Sequence, residues 1–195
     1  MMKRFTVCAM AVLLGLSAVA QSVAPAFALP DINGATHSLS HYIGKIVVLE
    51  WTNYDCPFVR KFYETGTMQA MQEEYTAKNV VWLSICSSAP GKQGNLSLDE
   101  WKLRVKANGS KATAVLLDES GRVGHAYRAS NTPHIFVVDK DGNLAYQGSV
   151  DDQRTADPKT AGKGRNYLDE ALYALLAGNP VPTPMTKPYG CSVKY

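Results

Sequence analysis

Two apolar periods alternate along this chain, and the switches between them outline its elements. The β-branched run Ile46, Val47 and Val48, continued by Leu49 and Trp51, reads as a strand covered on both faces. After Pro57 the period lengthens: Phe58, Val59, Phe62 and Tyr63, then Met68, Met71 and Tyr75, place one apolar face on a helix. Gly66, between two threonines, is expected to kink or divide that helix. Residues 80–84 predict a second strand, 98–105 a helix, 114–117 a strand and 122–128 a further helix. Such β-α-β-α alternation argues a parallel or mixed sheet with helices on both faces. The pattern then turns antiparallel: residues 134–138 and 144–147 form a hairpin whose turn is Asp139-Lys140-Asp141-Gly142-Asn143. A polar loop over 151–166 leads to a last helix over 167–176, stopped by Gly178 and Pro180.

The two ends differ from this body. Residues 29–45 carry the turn Asn33-Gly34 and read as a short hairpin or strand leading to a helical turn. Before them, Lys3 and Arg4 precede an apolar run over residues 7–20, and Ala26-Phe27-Ala28 offers the small residues that a signal peptidase reads. Residues 1–28 are therefore expected to be a signal peptide cut after Ala28, with Ala20 the alternative and an uncleaved membrane anchor the rival reading. Cys8 would leave with the leader. At the other end Pro180, Pro182, Pro184 and Pro188 predict an extended, semi-rigid arm over 180–195 rather than another element. At about 3.1 Å per residue such an arm reaches about 30 Å, far enough to carry Cys191 across much of the surface of the preceding domain, residues 29–179, so that contact with Cys56 is feasible without being implied.

Composition adds a compartment and removes some partners. No stretch after the leader is long enough to span a bilayer, so a periplasmic or secreted, disulfide-permissive location follows. The formal charge of +3 rests on 20 basic against 17 acidic residues. Loss of Lys3 and Arg4 leaves 18 against 17, or +1, and the remaining basic residues are scattered, which argues against nucleic acid as a partner. The acidic turn over 139–143 lacks the third spaced oxygen ligand and distal Glu of a calcium loop. His37, His41, His125 and His134 form no metal spacing with one another or with the cysteines, so neither a metal nor another cofactor is expected.

The chemistry gathers at Cys56. Pro57 suits the first position of a helix, which puts Cys56 at the N-cap. A sulfur there faces free backbone N–H groups and the positive end of the helix dipole, both of which favour thiolate over thiol. Arg60, one turn on, adds positive charge, and Asp55 opposes it. Cys86, at a strand end, reads as a buried inert thiol or a secondary resolving one.

Asp55-Cys56-Pro57-Phe58-Val59, the pair Thr132-Pro133, the stretch 146–152 and the tail Lys187-Pro188-Tyr189-Gly190-Cys191-Ser192-Val193-Lys194-Tyr195 together resemble the peroxiredoxin-like redoxins of the alkyl hydroperoxide reductase/thiol-specific antioxidant group. The resemblance implies a thioredoxin-like α/β fold in which Pro133 is cis and lies beside the active thiol. It implies Cys56 as the nucleophile, Cys191 as a resolving thiol, and Asn53, Pro57, Arg60, Thr132 and Pro133 as the lining. Expected partners are a thioredoxin-like or small-thiol reductant and a peroxide or protein-disulfide substrate. The chain departs from better-known relatives in two places. Val59 stands where thioredoxins have their second cysteine, and Asn53 stands where peroxiredoxins place a Thr or Ser to orient peroxide. Three readings stay open: an antioxidant or disulfide-exchanging oxidoreductase, a binding module locked by a structural Cys56–Cys191 disulfide, and a monothiol isomerase.

Overall fold

The computed structural model describes residues 22–195. The core is a five-stranded mixed sheet of β3 (Val47–Trp51), β4 (Val81–Cys86), β5 (Ala114–Leu117), β7 (His134–Val138) and β8 (Leu144–Gly148), in the order β5-β4-β3-β7-β8. β3 runs parallel to β4 and β4 to β5, whereas β7 pairs antiparallel with both β3 and β8. Period-2 alternation sorts the strand residues cleanly onto two faces. Val48, Trp82, Ile135 and Val137 face a core closed by α1 (Pro57–Glu64), α2 (Thr67–Ala77), α3 (Leu98–Ala107) and α5 (Tyr167–Leu176). Val47, Leu49, Trp51, Leu83, Ile85 and Phe136 face a second core, closed by Tyr127 of α4 (Arg122–Tyr127) together with Ala24, Phe27 and Leu29.

Most elements lie where the apolar periods place them. α1 and α2 are one interrupted helix, divided at Gly66, whose φ of +74° is the left-handed conformation glycine adopts without a Cβ penalty. α3 opens on a capping box in which the Ser97 hydroxyl takes the Glu100 amide and the Glu100 carboxylate takes the Ser97 amide. The 29–45 region is a small hairpin of β1 (Ala28–Pro30) and β2 (Thr36–Ser38), followed by a single turn of tight helix.

Both ends carry structure of their own. The greater part of the expected leader, residues 1–21, lies outside the described residues. Its last part, residues 22–28, belongs to the fold: Val23 bridges to Asn143, Ala24 and Phe27 are buried in the second core, and the Tyr127 hydroxyl donates to the Pro25 carbonyl. The tail is anchored rather than mobile, and it contains an element that its prolines concealed. Thr186 donates to the Gln147 carbonyl, and β9 (Cys191–Ser192) pairs antiparallel with β6 (Asn131–Thr132) in a two-stranded ribbon. The chain ends with the Tyr195 hydroxyl on the Ala129 carbonyl and its ring stacked on His125 at 3.9 Å. Among the described residues no helix is long and apolar enough to cross a membrane.

Candidate active site: two thiols beside a β6–β9 ribbon

Cys56 ends the loop from β3 and caps α1 from an extended conformation, φ −79° and ψ 124°, as the proline after it requires. The turn that brings it there is built by Asn53, whose carbonyl takes the Cys56 amide at 2.9 Å and whose side-chain oxygen takes the Asp55 amide at 3.0 Å. The other end of the Asn53 amide donates to the Gln93 carbonyl, so this side chain is committed to backbone at both ends. Pro57 is exposed at the start of the helix. The Cys56 sulfur does not cap the helix amides, contrary to the expectation that it faces them. It is fully buried, and its thiol donates to the Thr132 carbonyl at 3.1 Å.

Thr132 and Pro133 are joined by a cis peptide bond at the entrance to β7. Across the ribbon Thr132 is the register partner of Cys191, so one residue touches both cysteines: its carbonyl takes the Cys56 thiol and its backbone pairs with the backbone of Cys191. Cys191 is half-buried. Burial and the adjacent Cys56 sulfur push its thiol up to about 11. Gly190 makes this approach feasible. Its φ is +130°, and a Cβ at that position would collide with the Thr132 carbonyl.

A buried ionic anchor fixes the tail just before that glycine. Lys61, on α1, is wholly buried. Its ammonium donates to the Gln153 carbonyl at 2.7 Å and the Tyr189 hydroxyl at 3.1 Å and lies 3.3 Å from an Asp151 carboxylate oxygen. The Tyr189 hydroxyl donates in turn to Asp151, and its ring meets Phe58 edge-on at 5.9 Å. Burial pulls Lys61 down and pushes Asp151 up, the cost expected of charges removed from water.

The remaining predicted residues have other partners. Arg60 does not serve the sulfur: its guanidinium lies on Glu64, one turn ahead, at 2.6 Å. Asp55 is likewise taken, by Arg104 of α3 at 2.7 Å. Cys86 is buried at the end of β4, beside the Ser88 hydroxyl at 3.4 Å and the Gly94 carbonyl at 3.5 Å, and burial raises its thiol pKa. Its reactive thiolate is correspondingly scarce. His134 accepts the Ser130 amide on Nδ1 at 3.2 Å, and burial lowers its imidazole to about 4, so it stands neutral in the hairpin.

Sequence reasoning missed Glu50, Lys61, Asp151 and Tyr189. Glu50, in the middle of β3, is fully buried and accepts from Trp82, Ser84, Gln72 and Tyr63 at 2.8–3.2 Å. Burial still raises its pKa against those four donors. A lone acid inside the apolar run Val47–Trp51 was the visible signal for it. Nothing comparable marks Lys61, which occupies an ordinary charged position in the amphipathic α1.

Residues 20–147 match the AhpC/TSA family. The chain belongs to that family. A curated relative, the thiol-disulfide oxidoreductase ResA of Geobacillus kaustophilus (strain HTA426), is 29% identical over 124 residues, 63% of this chain and 65% of that protein. The chain thus spans just under two thirds of that relative's length. Among solved structures, an uncharacterised conserved protein from Geobacillus kaustophilus superposes with a TM-score of 0.78 at 29% identity, covering 90% of this chain and 91% of its own. A putative thiol:disulfide interchange protein DsbE from Chlorobium tepidum gives 0.59 at 25% identity, covering 80% of this chain and 96% of its own. The thioredoxin-like α/β fold implied by the sequence motifs is therefore the fold of this protein.

Proposed function

We propose that this redoxin is an extracytoplasmic thiol–disulfide oxidoreductase whose redox unit is Cys56 with Cys191, a pair assembled from the first helix and the tail in place of a local Cys-X-X-Cys. The observation that carries the reading is the sharing of Thr132, which receives the Cys56 thiol on its carbonyl and pairs with Cys191 across the ribbon. Two cysteines held in this way cycle between dithiol and disulfide with little backbone movement. Disulfide exchange is favoured over peroxide reduction because Asn53, at the position of the peroxide-orienting hydroxyl, has both ends of its amide bonded to backbone and offers no free group to peroxide.

A proline-rich arm over 180–195 then serves as the carrier of the second thiol, and a thioredoxin-like protein or small thiol serves as reductant. For the leader, the cut that leaves the fold intact is after Ala20, because cleavage after Ala28 would remove Phe27 and Ala24 from the second core. The mature protein should accordingly begin at Gln21, which the intact mass of the exported protein checks.

Stopped-flow mixing of the reduced protein with hydrogen peroxide and, separately, with a peptide disulfide tests the reaction. The expected result is a peroxide rate no faster than that of free cysteine, with formation of a Cys56–Cys191 disulfide on exchange. A fast peroxide reaction lost in Cys56→Ser would establish a peroxidase instead. A Cys56–Cys191 bond that resists both glutathione and thioredoxin would make the bond structural.

A further inference from the structure

We infer that the groove between the N-terminal segment, the end of α4 and the tail is a binding site for a small organic acid, a carboxylate carried on an apolar body. The groove encloses about 780 Å³, and neither Cys56 nor Cys191 lines it, so it stands apart from the thiol chemistry proposed above. Its position follows from the edge of the main sheet. β8 is an outer strand, and two separate segments lie along its free edge: the Leu144 amide donates to the Ser22 carbonyl at one end, and the Gln147 amide donates to the Pro184 carbonyl at the other. The groove opens between those segments and is walled by Tyr127 and Arg128 at the end of α4.

Three observations define the ligand. His134 lines the groove and is only 6% exposed. Its Nδ1 accepts the Ser130 amide, so the proton of the neutral ring sits on Nε2. That N–H has no hydrogen-bond partner among the described residues and keeps access to the groove, which makes it a fixed donor without an acceptor. Next, Arg128 and Lys187 are exposed on the lining, neither is in a salt bridge among the described residues, and the lining holds no Asp or Glu. Arg128 stands at φ +54°, the left-handed position after a helix where glycine is the less strained residue. Finally, the rest of the lining is largely apolar, with Pro25, Tyr127, Leu144 and Pro188 joined by Val23 and Met185, two of the most exposed large apolar side chains of the fold.

Together these features select one class of molecule. An inorganic anion would meet the cations and leave the apolar walls in water, whereas a neutral apolar molecule would cover Arg128 and Lys187 without supplying a counter-charge. A carboxylate on an apolar body answers both: an oxygen accepts from the His134 Nε2–H, the two cations share the charge, and the body fills the groove. With the imidazole at about 4, this donor is unchanged across neutral pH. One wall is the tail itself at residues 185–188, so an occupant braces the segment that leads through Tyr189 and Gly190 to Cys191.

The test titrates octanoate into the full mature chain by isothermal titration calorimetry, with acetate and octanol as arms that lack the apolar body and the charge respectively. Expected is binding of one octanoate at millimolar concentration or below, at least tenfold tighter than acetate or octanol. The double variant Arg128→Gln with Lys187→Gln should weaken octanoate at least tenfold, and both side chains are exposed, so the fold is left intact. Bound octanoate should also slow amide hydrogen exchange in peptides covering residues 126–130 and 184–188. Absence of binding at millimolar octanoate, octanol bound as tightly, an unchanged affinity in the double variant, or protection confined to other peptides would each overturn the assignment.

Discussion

Gly190 is the narrowest point of the site, because the backbone there passes so close to the Thr132 carbonyl that no side chain fits between them. Gly190→Ala adds both a steric clash and a disfavoured φ, at about 1–3 kcal/mol, and the ribbon should relieve the strain by moving Cys191 away. The expected outcome is a Cys56–Cys191 disulfide that glutathione reduces at least tenfold more readily than in the wild type, read in a glutathione redox titration. An unchanged titration would mean that the tail adapts without shifting its thiol.

His134 offers a second test at this scale. Its folded pKa is depressed from 6.5 to about 4, so its contribution to stability is complete above pH 6.5 and is lost as pH falls from there towards 4. At about 1.36 kcal/mol per pH unit the full loss is about 3.4 kcal/mol. His134→Asn keeps an acceptor for the Ser130 amide and cannot titrate. Urea unfolding at pH 7 and pH 4.5 should therefore show a smaller loss of stability for the variant than for the wild type.

Among the elements, the anchor formed by α1, the segment after β8 and the tail decides where the second thiol sits. Lys61, Asp151 and Tyr189 are each buried and linked to one another and to the Gln153 carbonyl, with one Asp151 carboxylate oxygen held only by the charge of the Lys61 ammonium at 3.3 Å. Replacing one member leaves the others charged or unpaired out of water. Lys61→Met should therefore cost about 3–5 kcal/mol and Tyr189→Phe about 1–3 kcal/mol. Both should speed modification of Cys56 by a bulky thiol reagent under native conditions. Loss of stability with Cys56 still inaccessible would show that β9 stays in place without the anchor.

This trio also marks the limit of what sequence could show. The strands of the main sheet, the divided first helix, Pro57 opening it and the hairpin from His134 all follow from apolar period and turn residues. So does the N-cap place of Cys56. The β6–β9 ribbon has two residues per strand and hence no period to read, and spaced prolines argue for an open arm. The partners of Arg60 and Asp55 escaped for another reason: whether a charge serves a nearby sulfur or the carboxylate one helical turn ahead depends on side-chain direction, which spacing does not specify.

For the molecule as a whole, the tail converts a chemical event at two sulfurs into a change in global stability. A bond between residues 56 and 191 closes most of the folded chain into one loop, and restricting the unfolded ensemble to that extent is worth about 4–5 kcal/mol on the chain-entropy account. An engineered disulfide usually returns less, because the native state must distort to form it. Here the reduced protein already holds Cys191 opposite Thr132 and Cys56 on the Thr132 carbonyl, with the flanking tail bonded on either side by Tyr189 to Asp151 and Val193 to Ser130. Little distortion is required, so most of the gain should be realised. For a domain of this size about 2–4 °C accompanies each kcal/mol, and the oxidised protein should melt about 10–15 °C above the reduced one in differential scanning calorimetry. Cys191→Ser should melt at the same temperature with or without diamide. A shift of only a degree or two in the wild type would mean that the tail leaves its place on reduction, and that Cys191 meets Cys56 by diffusion of a free arm rather than by standing beside it.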